Sequence, residues 1–448
     1  MNAGDTRNET LEILREVLSS GSFIQDAVKK AALPEKGASE LDGRFIRNLV
    51  RGTAERKTTL EAILGKLSST PLRKIKPVLR ILLMMALYEL LYAGQKDYAV
   101  VNEYVRLARR RGFQGLSGFV NAILRRASRE KETLLQSLTE EESSALPEEV
   151  LKILSDSYGR ENALRYAQYV LTEDAKKLTV RRNISRCTEE RFQDVLKEDD
   201  AEAVRLLSGD VTALTEGFRD LPQDEIFILR TGKPINSLKA FREGLFYVQD
   251  ISAWSAFRGL SAFLSPETAV LDLCAAPGGK TFQLMDLAGK AGFQAHFTAC
   301  DLVKHRLARL WENAARMGFE ALESLEADAT VFEPAFKEAF DLVIADVPCS
   351  GLGDLSGKPE IRFHISEASL RELQEIQKKI LENAARYVRA GGILQYSTCT
   401  LNRSENEDRV RAILSLHPEF TIQEEKTLIS GVNTPGDGFY YARMKRLP

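Results

Sequence analysis

Apolar residues recur at three- and four-residue spacing through the first 131 positions: Leu11, Leu14, Val17 and Leu18, then Phe45 with Leu49, then Leu60 with Ile63 and Leu64. That is the period of a helix with one buried stripe, so the spacing predicts helices almost throughout. Leu33-Pro34 and Thr70-Pro71 break the pattern. Residues 78–92 are apolar nearly all round, which predicts a buried central helix. Residues 132–145 (ETLLQSLTEEESSA) predict a polar connector, and from Pro147 to about Glu173 a further helical pair is expected. Between 174 and 250 helical runs mix with β-prone ones at 178–183, 226–229 and 245–248. From Ala269 onward, apolar runs at 269–273, 296–299, 340–345 and 393–396 alternate with helical stretches. Such alternation predicts a parallel, doubly wound sheet. The expected organisation is an all-α domain over 1–135, a small α+β domain over 146–250 and a Rossmann-like α/β domain over 251–448.

Composition changes this picture little. At 448 residues two or three domains are expected, and hydrophobic and charged fractions of 44% and 28% are those of a globular protein. The longest apolar stretch, ILLMMAL at 81–87, is too short to span a bilayer, and the opening MNAGDTRNET lacks an apolar signal segment. A cytoplasmic protein with no membrane association is expected. Five cysteines, an odd number, argue against a disulfide framework. Charge is more informative. Residues 1–131 hold 24 Lys/Arg against 14 Asp/Glu, and the remainder 38 against 50, so a basic first domain precedes an acidic second part. Arginines cluster in RLARRR (106–111) and NAILRR (121–126). Such asymmetry suits a polyanionic partner, although a solvated helical surface has the same composition.

Candidate chemistry begins where the first strand of the sheet runs into Asp272-Leu273-Cys274-Ala275-Ala276-Pro277-Gly278-Gly279-Lys280-Thr281. Strand, glycine turn and helix make the first unit of a nucleotide-binding sheet. A phosphate-binding P-loop would need Gly at 274, where this chain has Cys, and G-x-G-x-x-G is absent. S-adenosylmethionine has no phosphate to cradle, so a looser turn of small residues suffices. Asp301, 23 residues after Gly278, is expected to end the second strand and meet ribose hydroxyls. Asp328 is expected after the third strand, against adenine. A single Asp there is commonly only a helix cap; the ordered set of three signals makes the cofactor site.

Two cysteines stand at corresponding places further on, in Asp346-Val347-Pro348-Cys349-Ser350-Gly351 and Tyr396-Ser397-Thr398-Cys399-Thr400. If the fourth and fifth strands are neighbours, both sulfurs overhang one crevice at the carboxyl ends of the strands. A lone buried Cys is usually an inert small hydrophobe. A metal is not expected, since no CxxC pair or nearby His completes a ligand set. Carbon 5 of cytosine gives such a pair a purpose. It is a poor nucleophile until a thiolate adds to carbon 6, and the thiol must be deprotonated locally to do so. Asp346 is placed to steady the base edge, and Lys280 to contribute charge. The base must be unstacked to reach the site.

These residues resemble the RsmB/Sun family of bacterial 16S rRNA cytosine-C5 methyltransferases, over almost the whole chain. The carrying motifs are LDLCAAPGGKT (271–281), DVPCSGLG (346–353), KPEIRF (358–363) and YSTCT (396–400), with FYVQDISA (246–253), ENAARMG (312–318) and GDGFYYAR (436–443). VNEYVRLAR (101–109) and GFVNAILRR (118–126) are similar to the NusB RNA-binding fold. The resemblance implies Cys399 as nucleophile and Cys349 as the cysteine that helps release product. It also implies that Cys274, Ala275, Ala276, Pro277, Gly278, Gly279, Lys280, Asp301, Asp328 and Asp346 line an S-adenosylmethionine site. The implied partner is small-subunit ribosomal RNA, naked or in an early assembly intermediate, and a monomer is expected. Two departures stand out: Val347 replaces the usual Ala, and Ser356-Gly357-Lys358-Pro359-Glu360-Ile361-Arg362-Phe363 replaces the usual R-R-H-P-D-I-K-W. Loss of the paired arginines bears on RNA contacts. A paralogue acting on another rRNA or a tRNA cytosine, and a non-catalytic RNA-binding scaffold, are the competing readings. The scaffold has no use for two cysteines and a cofactor turn.

Overall fold

The structure, a computed structural model, describes residues 3–206, 218, 221–222 and 224–448. The chain divides into two compact units, Met1–Leu171 with Leu355–Ile365, and Thr172–Asp354 with Ser366–Pro448.

The first unit is helical among its described residues. Its central helix, Pro77–Leu91, opens on a proline that needs no amide partner and buries ten side chains. One of them is charged. Glu89 is fully buried and accepts from Arg7 Nε (2.9 Å) and from the Tyr104 hydroxyl (2.6 Å), which supplies the partners a buried carboxylate needs. The stretch read as a polar connector is instead helical, at Lys131–Gln136 and Glu140–Ser144. Thr139 and Glu142 form a capping box there, a start signal hidden in a run that is merely polar by composition. The helices Glu148–Tyr158 and Arg160–Tyr169 also belong to this unit, so the division falls at 171 rather than near 135.

The segment 355–365 enters this unit from far along the chain. Arg362, 1% exposed, donates to the carbonyls of Glu55 (2.7 Å) and Ala145 (3.0 Å), which close the helices Glu40–Glu55 and Glu140–Ser144. Helix carboxyl ends leave carbonyls without partners and carry partial negative charge, so a guanidinium is well matched to them. Burial nonetheless pulls its pKa down to about 10. Glu360 accepts the amide of Ile24 (2.9 Å). Of the stretch expected to bear on RNA contacts, only Gly357 and Lys358 are exposed.

The second unit holds two sheets. The smaller has β1 (Thr179–Arg182), β2 (Glu202–Arg205), β3 (Ile226–Arg230) and β4 (Phe246–Val248) in the order β2-β3-β1-β4, every neighbouring pair antiparallel. The strand β2 carries no apolar run (EAVR), which is why periodicity did not predict it. The larger sheet has β5 (Ala269–Asp272), β6 (His296–Asp301), β7 (Leu322–Glu326), β8 (Phe340–Asp346), β9 (Val388–Thr398), β10 (Phe420–Leu428) and β11 (Phe439–Arg446). Its order is β10-β11-β9-β8-β5-β6-β7. From β9 to β7 all pairs are parallel, whereas β11 runs antiparallel to β9 and β10 to β11. The expected doubly wound parallel sheet is thus present from β9 to β7, with an antiparallel hairpin added beyond β9. Glutamates interrupt β10 (FTIQEEKTL), so it offers no apolar run to read.

A buried ion pair ties the small sheet to the helix Gly279–Lys290. Arg181 in β1 meets Asp286 at 2.7 Å, both at most 2% exposed, and Asp286 also accepts the amides of Ile184 and Ser185. At the end of β5, Asp272 is 1% exposed and takes hydrogen bonds from the Thr281 hydroxyl (2.6 Å) and the Cys274 amide (3.3 Å). Burial outweighs these bonds and pushes its pKa up to about 7.

Two stability predictions follow from these buried charges. Replacing Arg362 with Met strands two helix carbonyls and is expected to destabilise the helical unit by about 3 kcal/mol in denaturant unfolding; an unchanged midpoint would contradict this role in closing the helices. For Asp272 the folded pKa lies above the unfolded one, so its protonated form stabilises the fold, and that contribution disappears as pH rises through about 7. Between pH 6 and pH 8 the native protein should lose about 1 kcal/mol more stability than Asp272→Asn. Parallel pH curves for the two proteins would refute this.

Candidate active site

The cofactor turn lies between β5 and the helix Gly279–Lys290. Gly278 sits there at φ +109°, and a Cβ on it would stand 2.1 Å from the Phe282 ring, so the turn admits only glycine. The helix begins without a side-chain cap, leaving its first amides for a ligand. Asp301 ends β6, 1% exposed; it accepts the amides of Ala276 and Val303 (both 3.2 Å) and meets Arg306 at 3.3 Å. Three donors on two carboxylate oxygens leave acceptor capacity for one more. Asp328 stands two residues beyond β7, exposed, and accepts the amide and hydroxyl of Thr330. Among the described residues no hydrogen bond links it to the other expected site residues. Cys274 is half-buried, and burial next to Asp272 pushes its thiol well up, so it stays protonated.

Strands β8 and β9 pair in parallel, with Asp346 opposite Ser397. Beyond them the chains carry Cys349 and Cys399, whose sulfurs are 3.4 Å apart. Two backbone bonds hold the loops together: the Gly353 amide donates to the Cys399 carbonyl (3.0 Å), and the Gly438 amide to the Gly353 carbonyl (2.9 Å). A Cβ on Gly353 would stand 2.0 Å from the Gly438 carbonyl oxygen, so the approach requires glycine. Asp346 receives Lys280 Nζ at 2.5 Å and the Ser397 hydroxyl at 2.7 Å. Lys280, Asp346, Cys349 and Cys399, singled out separately along the sequence, are thus in one place.

The thiols are not equivalent. The hydrogen bond from Cys349 lowers the pKa of Cys399; burial, Asp346 and Asp354 oppose this, and Lys280 supports it. Cys349 moves well up, first through its hydrogen bond to Cys399, then through burial and negative charge that includes Glu405. Of the two, Cys349 holds its proton more tightly and Cys399 is the more acidic. Burial works against the Lys280 ammonium, yet Asp346 holds its pKa above the usual lysine value.

Sequence reasoning missed several residues of this site. Asp250 caps the helix Ile251–Arg258 through the Ser252 amide (2.8 Å), accepts the Asp437 amide (3.0 Å) and is raised by burial. Glu405, fully buried, accepts four hydrogen bonds at the base of the Cys349 loop. It lies in NRSENEDRV, whose polar composition reads as surface loop. Among the described residues no group of His, Cys, Asp and Glu could hold a metal ion, and no helix is long and apolar enough to cross a membrane.

A family model described as 16S rRNA methyltransferase RsmB/F matches residues 262–445, and the NusB family model matches residues 5–129. The probable ribosomal RNA small subunit methyltransferase B of Synechocystis sp. is 31% identical over 458 aligned residues, covering 97% of this chain and 98% of the relative. The corresponding protein of Bacillus subtilis is also 31% identical, over 94% of this chain and 90% of its own length. Among solved structures, that of PH0851 superposes with a TM-score of 0.74 at 22% identity, over 100% of this chain and 99% of that one, which shows the shared fold. The chain is a methyltransferase that belongs to the RsmB/F family of 16S rRNA methyltransferases, with a NusB-family domain ahead of the catalytic one.

Proposed function

We propose that this enzyme methylates carbon 5 of a cytosine in small-subunit ribosomal RNA through a covalent adduct on Cys399. The observation that carries the reading is the pair of sulfurs, 3.4 Å apart at the ends of neighbouring parallel strands, with Cys399 the more acidic of the two. The uncapped helix start at Gly279 suits the carboxylate of S-adenosylmethionine, and the spare acceptor on Asp301 suits a ribose hydroxyl. Asp328 is the candidate partner for adenine. When bound, S-adenosylmethionine supplies the electrophilic methyl group that carbon 5 receives.

The remaining chemistry belongs to the protein. The Cys399 thiolate adds to carbon 6, and the electron pair displaced from the C5–C6 double bond makes carbon 5 nucleophilic. Asp346, held by Lys280 and Ser397, accepts from the polar edge of the base. Once Cys399 is bound in a thioether, Cys349 no longer faces a thiolate and gives its proton to solvent. It then takes the proton from methylated carbon 5. The C–H electron pair restores the C5–C6 double bond, and the C–S pair returns to Cys399. The carbon-5 hydrogen leaves as a proton, and the enzyme regains one thiol and one thiolate.

RNA is proposed to meet the arginines that end helices of the first unit. Arg106, Arg110, Arg111 and Arg126 face Glu103, Asp5, Glu12 and Glu130. Arg109, Arg125 and Arg129 are exposed and have no acidic partner among the described residues.

Cys399→Ala is expected to abolish methyl transfer, by at least ~10³-fold, while S-adenosylmethionine affinity by calorimetry stays within about twofold. Cys349→Ala should trap RNA on Cys399 as a slow-migrating, thiol-sensitive band; full turnover by either variant would reject the division of labour between the two sulfurs. Mapping 5-methylcytosine in 16S rRNA with and without the enzyme identifies the target, and no difference in any rRNA would remove rRNA as substrate. Replacing Arg109, Arg125 and Arg129 together with Ala should weaken RNA binding and flatten its log–log salt dependence by up to about 2, roughly 0.7 for each phosphate no longer neutralised. An unchanged slope would direct attention to another surface.

A further inference from the structure

Glu405 is a buried acid that the proposed reaction does not use directly. It lies just before the helix Glu407–Leu416, and none of its surface reaches solvent. Its two oxygens accept from the Ser350 amide (2.9 Å), the Ser350 hydroxyl (2.6 Å), Asn402 Nδ2 (2.9 Å) and Gln377 Nε2 (2.9 Å). Four donors and no acceptor form a set that an ionised carboxylate satisfies completely. Two of them come from the residue that follows Cys349. The Ser350 hydroxyl also lies 2.6 Å from the hydroxyl of Thr400, the residue that follows Cys399. The Tyr396 hydroxyl donates to the Glu405 carbonyl (2.6 Å), and Gln377 Nε2 also donates to the Pro348 carbonyl (3.0 Å). Both cysteine loops are therefore tied, one residue beyond each sulfur, to a network centred on this one carboxylate.

We infer that Glu405 is the positioning residue that fixes the Cys349 loop against Cys399 and sets a negative charge on the Cys349 side of the pair. The groups facing the pair come from several elements. Lys280 stands at the start of its helix, Asp346 at the end of β8, Asp354 in the loop after Cys349 and Tyr396 in β9. Lys280 and Asp354 act on Cys399; Glu405 acts on Cys349. A negative charge on one side of a thiol pair raises the proton affinity of the nearer thiol more than that of the farther one. In the resting enzyme this adds to the bias, set first by the hydrogen bond between the sulfurs and by burial, that makes Cys349 hold its proton more tightly. During release it makes the Cys349 thiolate a stronger base toward the proton on carbon 5. The inference rests on the release role proposed for Cys349.

The test compares Glu405→Gln, which keeps shape and loses charge, with Glu405→Asp, which keeps charge and loses one methylene. Iodoacetamide labelling of the full-length protein, mapped by mass spectrometry, should favour Cys399 in the native enzyme. In E405Q the share on Cys349 should rise several-fold, kcat should fall about tenfold for each pKa unit of basicity lost, and the covalent RNA band should accumulate. S-adenosylmethionine affinity should not change. If E405Q keeps the native labelling ratio and leaves no adduct, the inference is overturned. Should E405Q melt early, E405D decides: a native labelling ratio despite equal destabilisation upholds the inference, and a lost one reduces Glu405 to packing. A Cys349→Ala enzyme that turns over without any adduct would instead bring down the release role itself, whatever E405Q does.

Discussion

Parallel pairing of β8 with β9 sets Asp346 opposite Ser397, and within three residues beyond that rung the two thiols meet at 3.4 Å. Parallel neighbours end on the same edge of a sheet, so loops leaving them share one crevice. The register does more than bring them near. A one-residue slip would turn every side chain of β9 to the opposite face and carry Cys399 away from Lys280. The Gly353 bond to the Cys399 carbonyl and the close approach of Gly438 lock the two loops after the strands have ended.

That geometry has to work against its own surroundings. Burial, Asp346 and Asp354 each disfavour a negative charge on the Cys399 sulfur. What lets Cys399 ionise is a donor at short range, the Cys349 thiol, helped by the Lys280 ammonium. The hydrogen bond from Cys349 outweighs burial and both acids, which have partners of their own. Asp346 is taken by Lys280 and Ser397, and Asp272, whose pKa is raised to about 7, holds Thr281 and Cys274. The cofactor turn and the thiol pair are thereby electrostatically one site, joined through Lys280.

The parts of this fold legible in the sequence were those whose signal is local. The apolar helix Pro77–Leu91, the turn at Gly278 and the four apolar strands each announce themselves within about ten residues. Strand β10 did not, because a mostly exposed strand with two glutamates has no apolar run, and it is held in the sheet by pairing with β11. The same holds for Glu405 and Asp250. Their weight comes from burial and from donors distant in sequence, such as Ser350 and Asp437, and neither is visible in composition. Cys349 and Cys399 were readable as a pair only because each follows a recognisable strand.

The altered stretch 356–363 shows how a motif can change its meaning with its surroundings. Ser356, at its start, is buried, and the arginine that is present, Arg362, closes two helix ends inside the first unit. A guanidinium already donating to carbonyls at Glu55, Ala145 and Pro359 has little left to offer RNA. Of its stretch only Lys358 remains an exposed cation. The segment joins Asp354, five residues past Cys349, to Ser366, so the chain that bears Cys349 continues directly into a stretch belonging to the helical unit. A stretch read from its sequence as a contact surface thus serves chiefly to pack the first unit, because the donors of its one arginine are already taken.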